Sequence, residues 1–168
     1  ANPASYLTIN DNSKTDRIIL NPTIEIKLLN DLTFKAVGGY DKQTSKRQFY
    51  IPSYAGFYIA SKGLGQITER TTVNKSVEGY FTYNSTLFNK LNRINAVLGF
   101  GAYRTSYETL YMQGADFFTD SFGTDNIGIN TNADKRYIAS NRGETTKFSQ
   151  FGRINYTYKD KYTLSFTG

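Results

Sequence analysis

The chain has no cysteine and no histidine among its 168 residues. The first absence excludes a disulfide framework and any thiolate metal site. The second removes the commonest general base and metal ligand, and with them every serine–histidine triad. Tryptophan is also absent, methionine occurs once and proline three times (Pro 3). No apolar run approaches the ~20 residues of a membrane-crossing helix. What remains favours strands. With 14 Tyr and 12 Phe, aromatics reach 15%, yet the apolar fraction is only 39% with Tyr counted, low for a packed soluble core. Thr and Asn are abundant, which suits strands and turns better than helices. The net charge is +6. Most of the excess lies between residues 41 and 75, with Lys42, Lys46, Arg47, Lys62, Arg70 and Lys75 against Asp41 and Glu69. No basic helix or aromatic–basic RNA motif accompanies it, so nucleic acid is not an expected partner.

The clearest pattern is residues 148–168, FSQFGRINYTYKDKYTLSFTG. Gly152, Ile154, Tyr156 and Tyr158 alternate with Arg153, Asn155 and Thr157. After Lys159-Asp160-Lys161, Tyr162, Leu164 and Phe166 alternate with Thr163, Ser165 and Thr167. A period of two means β-strand, and two such strands across a short polar turn make a hairpin. The signature recurs upstream. Leu20, Pro22, Ile24 and Ile26 alternate with Asn21, Thr23, Glu25 and Lys27. A turn at Leu29-Asn30-Asp31 leads to Leu32, Phe34, Ala36, Gly38 and Tyr40. Pro22 inside a strand predicts a bulge or a gap in the ladder. In the middle copy Val77, Gly79, Phe81 and Tyr83 precede a turn at Asn89-Lys90-Leu91-Asn92. Ile94, Ala96, Leu98, Phe100 and Ala102 follow. The alternation extends through Tyr103, Thr105 and Tyr107 to Met112, an unusually long strand.

Tight turns are thus expected near residues 30, 90 and 160, and long loops at about 1–16, 41–74 and 113–145. Short turns at one end and long loops at the other mark an outer-membrane β-barrel. A soluble sandwich spreads its loops more evenly. The expected fold is therefore all-β: an antiparallel up-and-down sheet of about six long strands, part of a large transmembrane β-barrel. That is too few strands to close a barrel, so residues 1–168 read as a partial barrel segment without plug or closure. The expected lipid face carries Ile24, Ile26, Phe34, Phe81, Leu98, Phe100, Ile154, Tyr156, Leu164 and Phe166. The expected lumen face carries Glu25, Lys27, Lys35, Glu78, Asn95, Arg153 and Asn155. Aromatic girdles are expected from Tyr158, Tyr162 and Phe88 near the tight turns, and from Tyr40, Tyr50, Tyr103 and Tyr107 toward the long loops. A soluble antiparallel sandwich acting as a binding or adhesion module, or a small self-contained barrel, is the alternative.

Residues 151–168, FGRINYTYKDKYTLSFTG, resemble the strand–turn–strand of SusC/RagA-type TonB-dependent outer-membrane transporters. Residues 28–40, LLNDLTFKAVGGY, and 93–103, RINAVLGFGAY, are similar to a further turn and strand of that family, in the same order and spacing. Asn2-Pro3 and Arg17 also sit in family-like places. The resemblance implies a barrel of about 22 strands plugged by an N-terminal domain. It implies a SusD-like surface lipoprotein that delivers glycans or peptides, and energy supplied through TonB. A segment such as this one would form wall and loops of such an importer, in the outer membrane and in contact with its lipid.

No catalytic constellation emerges. Glu69 with Glu78, and Asp116 with Asp120, read as solvated charge. Asp116, Asp120, Asp125 and Asp134 lack the spacing of a calcium loop, so neither metal nor cofactor is expected. The loop aromatics are the candidate contacts for substrate or lipoprotein: Tyr50, Tyr54, Phe57 and Tyr58 in one loop, Phe117, Phe118 and Phe122 in the other. Packing of the loops onto each other is the competing role.

Overall fold

The computed structural model describes residues 3–55, 62–87 and 91–168. Phe57, Tyr58, Phe88, Asn89 and Lys90 lie outside them, as does Asn2. The strands are β1 (Asn10–Leu20), β2 (Thr23–Lys27), β3 (Leu32–Ile51), β4 (Leu64–Leu87), β5 (Asn92–Ala115), β6 (Tyr137–Tyr158) and β7 (Tyr162–Thr167). They form one sheet in the order β1-β3-β4-β5-β6-β7, with β2 also on β3. Neighbours in that order are also neighbours along the chain, so the topology is up-and-down and antiparallel. β1 and β2 are one strand interrupted at Asn21 and Pro22. Proline cannot donate to the ladder, but Pro22 O still accepts from Gly38 N at 2.9 Å. A Cβ on Gly38 would lie 3.1 Å from Pro22 Cγ, so glycine makes room for the ring. Pro22 therefore produces the gap that the sequence predicts.

The strands are longer than expected and the loops correspondingly shorter. β3 runs to Ile51 and β4 starts at Leu64, so the connection is 52–63 and not 41–74. β5 runs to Ala115 and β6 starts at Tyr137, which leaves 116–136 in place of 113–145. β1 begins at Asn10, within the expected 1–16 loop. The reason is that side chains here are polar on both faces, so the period-two contrast fades while the main-chain ladder continues. Cross-strand polar pairs replace the apolar ones. Arg47 forks onto Asp11 with bonds of 2.8 and 2.6 Å. Thr15 Oγ1 donates to Ser45 at 3.1 Å, Thr44 and Thr71 lie 3.3 Å apart, and Gln66 Nε2 donates to Gln113 at 3.0 Å.

The chain divides into two compact units. One comprises Ala1–Arg17, Lys42–Thr72 and Ser106–Gly143; the other comprises Ile18–Asp41, Val73–Thr105 and Glu144–Gly168. The first has a small core of Ile51, Ala55, Leu64 and Ala115, flanked by Ile9 and Phe49. Gly63 closes it with φ of +88°, and a Cβ there would lie 3.1 Å from Ile51 O. Gly63→Ala is expected to cost about 1–2 kcal/mol, because an L side chain resists that backbone region. Phe117 N donates to the neighbouring Lys62 O at 3.0 Å. The measurable outcome in the full-length chain is hydrogen exchange of the Phe117 amide faster by about 5- to 30-fold.

The second unit shows the two-faced pattern in its register. Ile24 pairs with Ala36 and Ile26 with Phe34, while Glu25 pairs with Lys35 and Lys27 with Thr33. Ile154 pairs with Phe166 and Tyr156 with Leu164, while Asn155 pairs with Ser165 and Arg153 with Thr167. The Phe34 and Phe81 rings continue the apolar side across β3 and β4, with centroids 4.8 Å apart. Phe81, Leu98, Ile154 and Phe166 line one apolar recess of about 490 Å³. Phe100 lies over Gly79, where a Cβ would come within 2.4 Å of its ring. The turn after β6 is built by Lys159 and Asp160, both left-handed at φ 49° and 55°. It is tied to its neighbour by Lys159 N to Leu91 O at 2.7 Å and by the Arg93–Asp160 ion pair.

Candidate functional site

In the first unit the 116–136 connection is a built structure. Asn130, only 3% exposed, pairs across an isolated bridge with Phe117. Its Nδ2 donates to Asn132 O at 2.7 Å, and Arg136 Nη2 donates to Asn130 O at 2.9 Å and to Gly128 O at 3.3 Å. Thr131 N and Oγ1 both donate to Asp116 O, at 2.7 and 2.9 Å. Asp116 itself has φ of 66° and pairs with Lys62 at 3.7 Å.

Asp120 fastens this connection to the end of β3. Its Oδ1 accepts from Tyr50 Oη at 2.7 Å and from Ser53 N at 2.9 Å. Its Oδ2 accepts from Ser53 Oγ at 2.6 Å. Burial is the largest single influence and opposes ionisation. The bonds from the Ser53 hydroxyl, the Tyr50 hydroxyl and the Ser53 amide together prevail and hold the carboxyl below the usual carboxylate range. The Tyr50 ring packs at a 58° tilt against Phe117, with centroids 5.5 Å apart. Gly65 lies beneath, where a Cβ would sit 3.1 Å from Phe117 Cζ.

A polar groove of about 490 Å³ opens beside this clamp. Asn10, Asn12 and Gln48 supply amides, Ser121 and Thr124 hydroxyls, and Tyr54 and Phe122 aromatic walls. Gln48 Nε2 donates to Thr124 Oγ1 at 3.1 Å. Amides beside ring edges suit a sugar hydroxyl array or a peptide backbone.

The loop aromatics thus separate. Tyr50 and Phe117 are buried, each 5% exposed. Their rings pack the loop onto the strand end, and Tyr50 also borders the groove. Tyr54 and Phe122 are exposed along the groove, and Phe118 is 80% exposed outside it. Phe57 and Tyr58 lie outside the described residues. The upper aromatic girdle is corrected. Tyr103 donates to Glu78 Oε1 at 3.0 Å, on the polar side of the sheet. Arg70 lies over Tyr107 at 5.3 Å.

In the second unit the expected polar face is joined into chains. Asn155 Nδ2 donates to Asn95 Oδ1 at 3.2 Å, Asn95 bonds to Asn84, and Arg153 Nε donates to Asn155 Oδ1 at 3.2 Å. A second polar recess of about 500 Å³ lies along them. Glu78 bonds to both Tyr80 and Tyr103. The alternation does not encode the Asp120 clamp or the reach of Tyr103 to Glu78. The only sequence cue is the i, i+2 spacing of Glu78 and Tyr80 on one strand face.

Long antiparallel strands in one up-and-down sheet, with an apolar and a polar face in the second unit, have the build of a large β-barrel wall. The fold matches the structure of the RagAB peptide transporter with a TM-score of 0.86, over 98% of this chain and 18% of that chain, at 17% identity. The sequence is homologous along nearly its whole length to TonB-dependent receptors of Formosa agariphila. It is 29% identical to TonB-dependent receptor P39 over 163 residues, 95% of this chain and 15% of the receptor. It is 26% identical to TonB-dependent receptor P3 over 162 residues, 94% of this chain and again 15% of the receptor. The chain therefore corresponds to a small part of the length of these receptors. No protein-family model matches it.

Proposed function

We propose that this chain is a wall and loop segment of a SusC-like, TonB-dependent outer-membrane transporter that imports oligosaccharides or peptides. A SusD-like surface lipoprotein delivers the substrate and TonB supplies the energy, both through the full-length protein. The observation that carries the reading is the bare apolar face of the second unit. Ile24, Leu98, Ile154, Leu164 and Phe166 are all more than half exposed there, at 62%, 60%, 52%, 72% and 72%. In water such a face is a liability; against lipid it is the face that a barrel requires. Every named strand of the described residues lies in one sheet, so the soluble sandwich lacks the second layer it needs. The unbroken homology to TonB-dependent receptors supports the same reading. The amide-rich groove with Tyr54 and Phe122 is then a loop-end contact for substrate or lipoprotein. The lumen face is that of Glu25, Lys27, Lys35, Glu78, Asn95, Arg153 and Asn155.

The test is fractionation and labelling of the full-length protein. It is expected in the outer membrane, with Asn155→Cys modified by a water-soluble maleimide and Leu98→Cys only by a lipid-soluble one. It should accumulate a labelled oligosaccharide or peptide only when TonB is present, and purify with a lipoprotein. Recovery in the soluble fraction, or equal labelling of both cysteines by the water-soluble reagent, sinks the proposal.

A further inference from the structure

The polar face of the second unit holds one carboxylate inside an aromatic frame. Glu78 Oε1 accepts from Tyr103 Oη at 3.0 Å, and Glu78 Oε2 accepts from Tyr80 Oη. Two tyrosine donors hold the carboxylate in place yet use only about half of its lone-pair sites. The Tyr80 ring meets Phe151 at 5.7 Å with planes tilted by 58°. Two buried glycines make the floor. A Cβ on Gly99 would lie 2.2 Å from the Phe151 ring, and one on Gly101 would lie 2.6 Å from Tyr103 Oη. The rings therefore lie against bare backbone, with Phe151 39% exposed on the open side.

No ion pair of the described residues includes Glu78. Two basic side chains of the same polar face have other neighbours. Lys35 stands opposite Glu25 in register, and Arg153 bonds to Asn155. A fixed, unpaired carboxylate among ring faces is the arrangement that recognises cations, through charge-assisted hydrogen bonds and cation–π contact together.

We infer that Glu78, Tyr80, Tyr103 and Phe151 form a subsite for a cationic amine or guanidinium group of the transported substrate. The inference rests on the reading of this face as the transporter lumen. Within it, the subsite narrows the substrate class to molecules with an exposed positive group, either a basic peptide or an amino sugar.

The experiment is equilibrium binding to the purified full-length transporter in detergent. One pair of probes is a lysine-containing tetrapeptide and its fully acetylated form. The other is a glucosamine oligomer and its N-acetylated form. The amine probe of at least one pair should bind about fivefold tighter than its acetylated partner. That preference should fall to about one in Glu78→Gln and weaken in Phe151→Leu. A preference confined to peptides assigns the site to basic peptides; one confined to sugars assigns it to amino sugars. Absence of any preference in the parent, or a preference that survives Glu78→Gln, overturns the inference. Heat-modifiable mobility of each variant shows that the barrel has assembled. If Asn155→Cys is closed to water-soluble maleimide, the lumen reading fails, and this inference falls with it. Aqueous labelling of Asn155→Cys together with an unchanged preference removes the subsite alone.

Discussion

On the proposed reading, Leu98→Arg in the full-length protein is expected to lose most of the folded, heat-modifiable barrel, at a cost of about 2–4 kcal/mol for a position near the bilayer midplane. Leu98 is 60% exposed on the apolar side of β5 and lines the recess shared with Phe81, Ile154 and Phe166. An arginine there would have no acceptor among those side chains, so its charge would face hydrocarbon or draw in water. Ser165→Arg is the control. Ser165 stands opposite Asn155 on the polar face, where a long cation reaches water and should change stability by about 0.5 kcal/mol or less. Band shift on electrophoresis without boiling reads both variants. The reverse outcome, with Leu98→Arg tolerated and Ser165→Arg lost, would invert the two faces.

That pair of substitutions also shows how far alternation carried. Period two placed Ile24, Ile26, Phe34, Phe81, Leu98, Ile154 and Phe166 on one side, and the observed register and ring contacts bring them together there. It worked because one face is uniformly apolar, and a one-residue slip would turn every such side chain around. It faded wherever both faces are polar. Lys42, Thr44, Lys46 and Gln48 alternate with Gln43, Ser45 and Arg47, which gives no contrast to read, although β3 continues to Ile51. Alternation therefore marks which segments are strands but not where they end.

The loop aromatics were harder because composition does not say which rings are inside. Tyr50 and Tyr54 have the same chemistry and stand close in sequence, yet one is 5% exposed and the other 57%. The difference is made by partners distant in the chain. Phe117 covers the Tyr50 ring and Asp120 takes its hydroxyl, whereas Tyr54 opens onto the groove. Asp120 itself read as one solvated aspartate among several. Its role depends on the path of 116–136 back to Ser53, which no local spacing encodes.

The Asp120 clamp should therefore be the most sensitive point of the loop unit. Asp120→Ala in the full-length protein removes the two oxygens that accept three hydrogen bonds and leaves Tyr50 Oη, Ser53 N and Ser53 Oγ without their partner. Bonds to a charged group and the unsatisfied donors left behind put the cost at about 2–3 kcal/mol, local to the loop. The Ser53 amide, which donates to Asp120 Oδ1, should then exchange about 30- to 150-fold faster, with little change in the strands of the other unit. The pH dependence has a fixed sign. The folded carboxyl titrates below its ordinary value, so its contribution is fully present above about pH 4 and is lost as pH falls through the lowered folded value. After correction for intrinsic exchange, Ser53 protection in the parent should stay level from neutral pH down to about pH 4 and fall below it. Asp120→Asn should show lower protection at neutral pH and no such step. Equal protection in parent and variant across that range would mean that ring packing of Tyr50 on Phe117 holds the loop without the carboxylate.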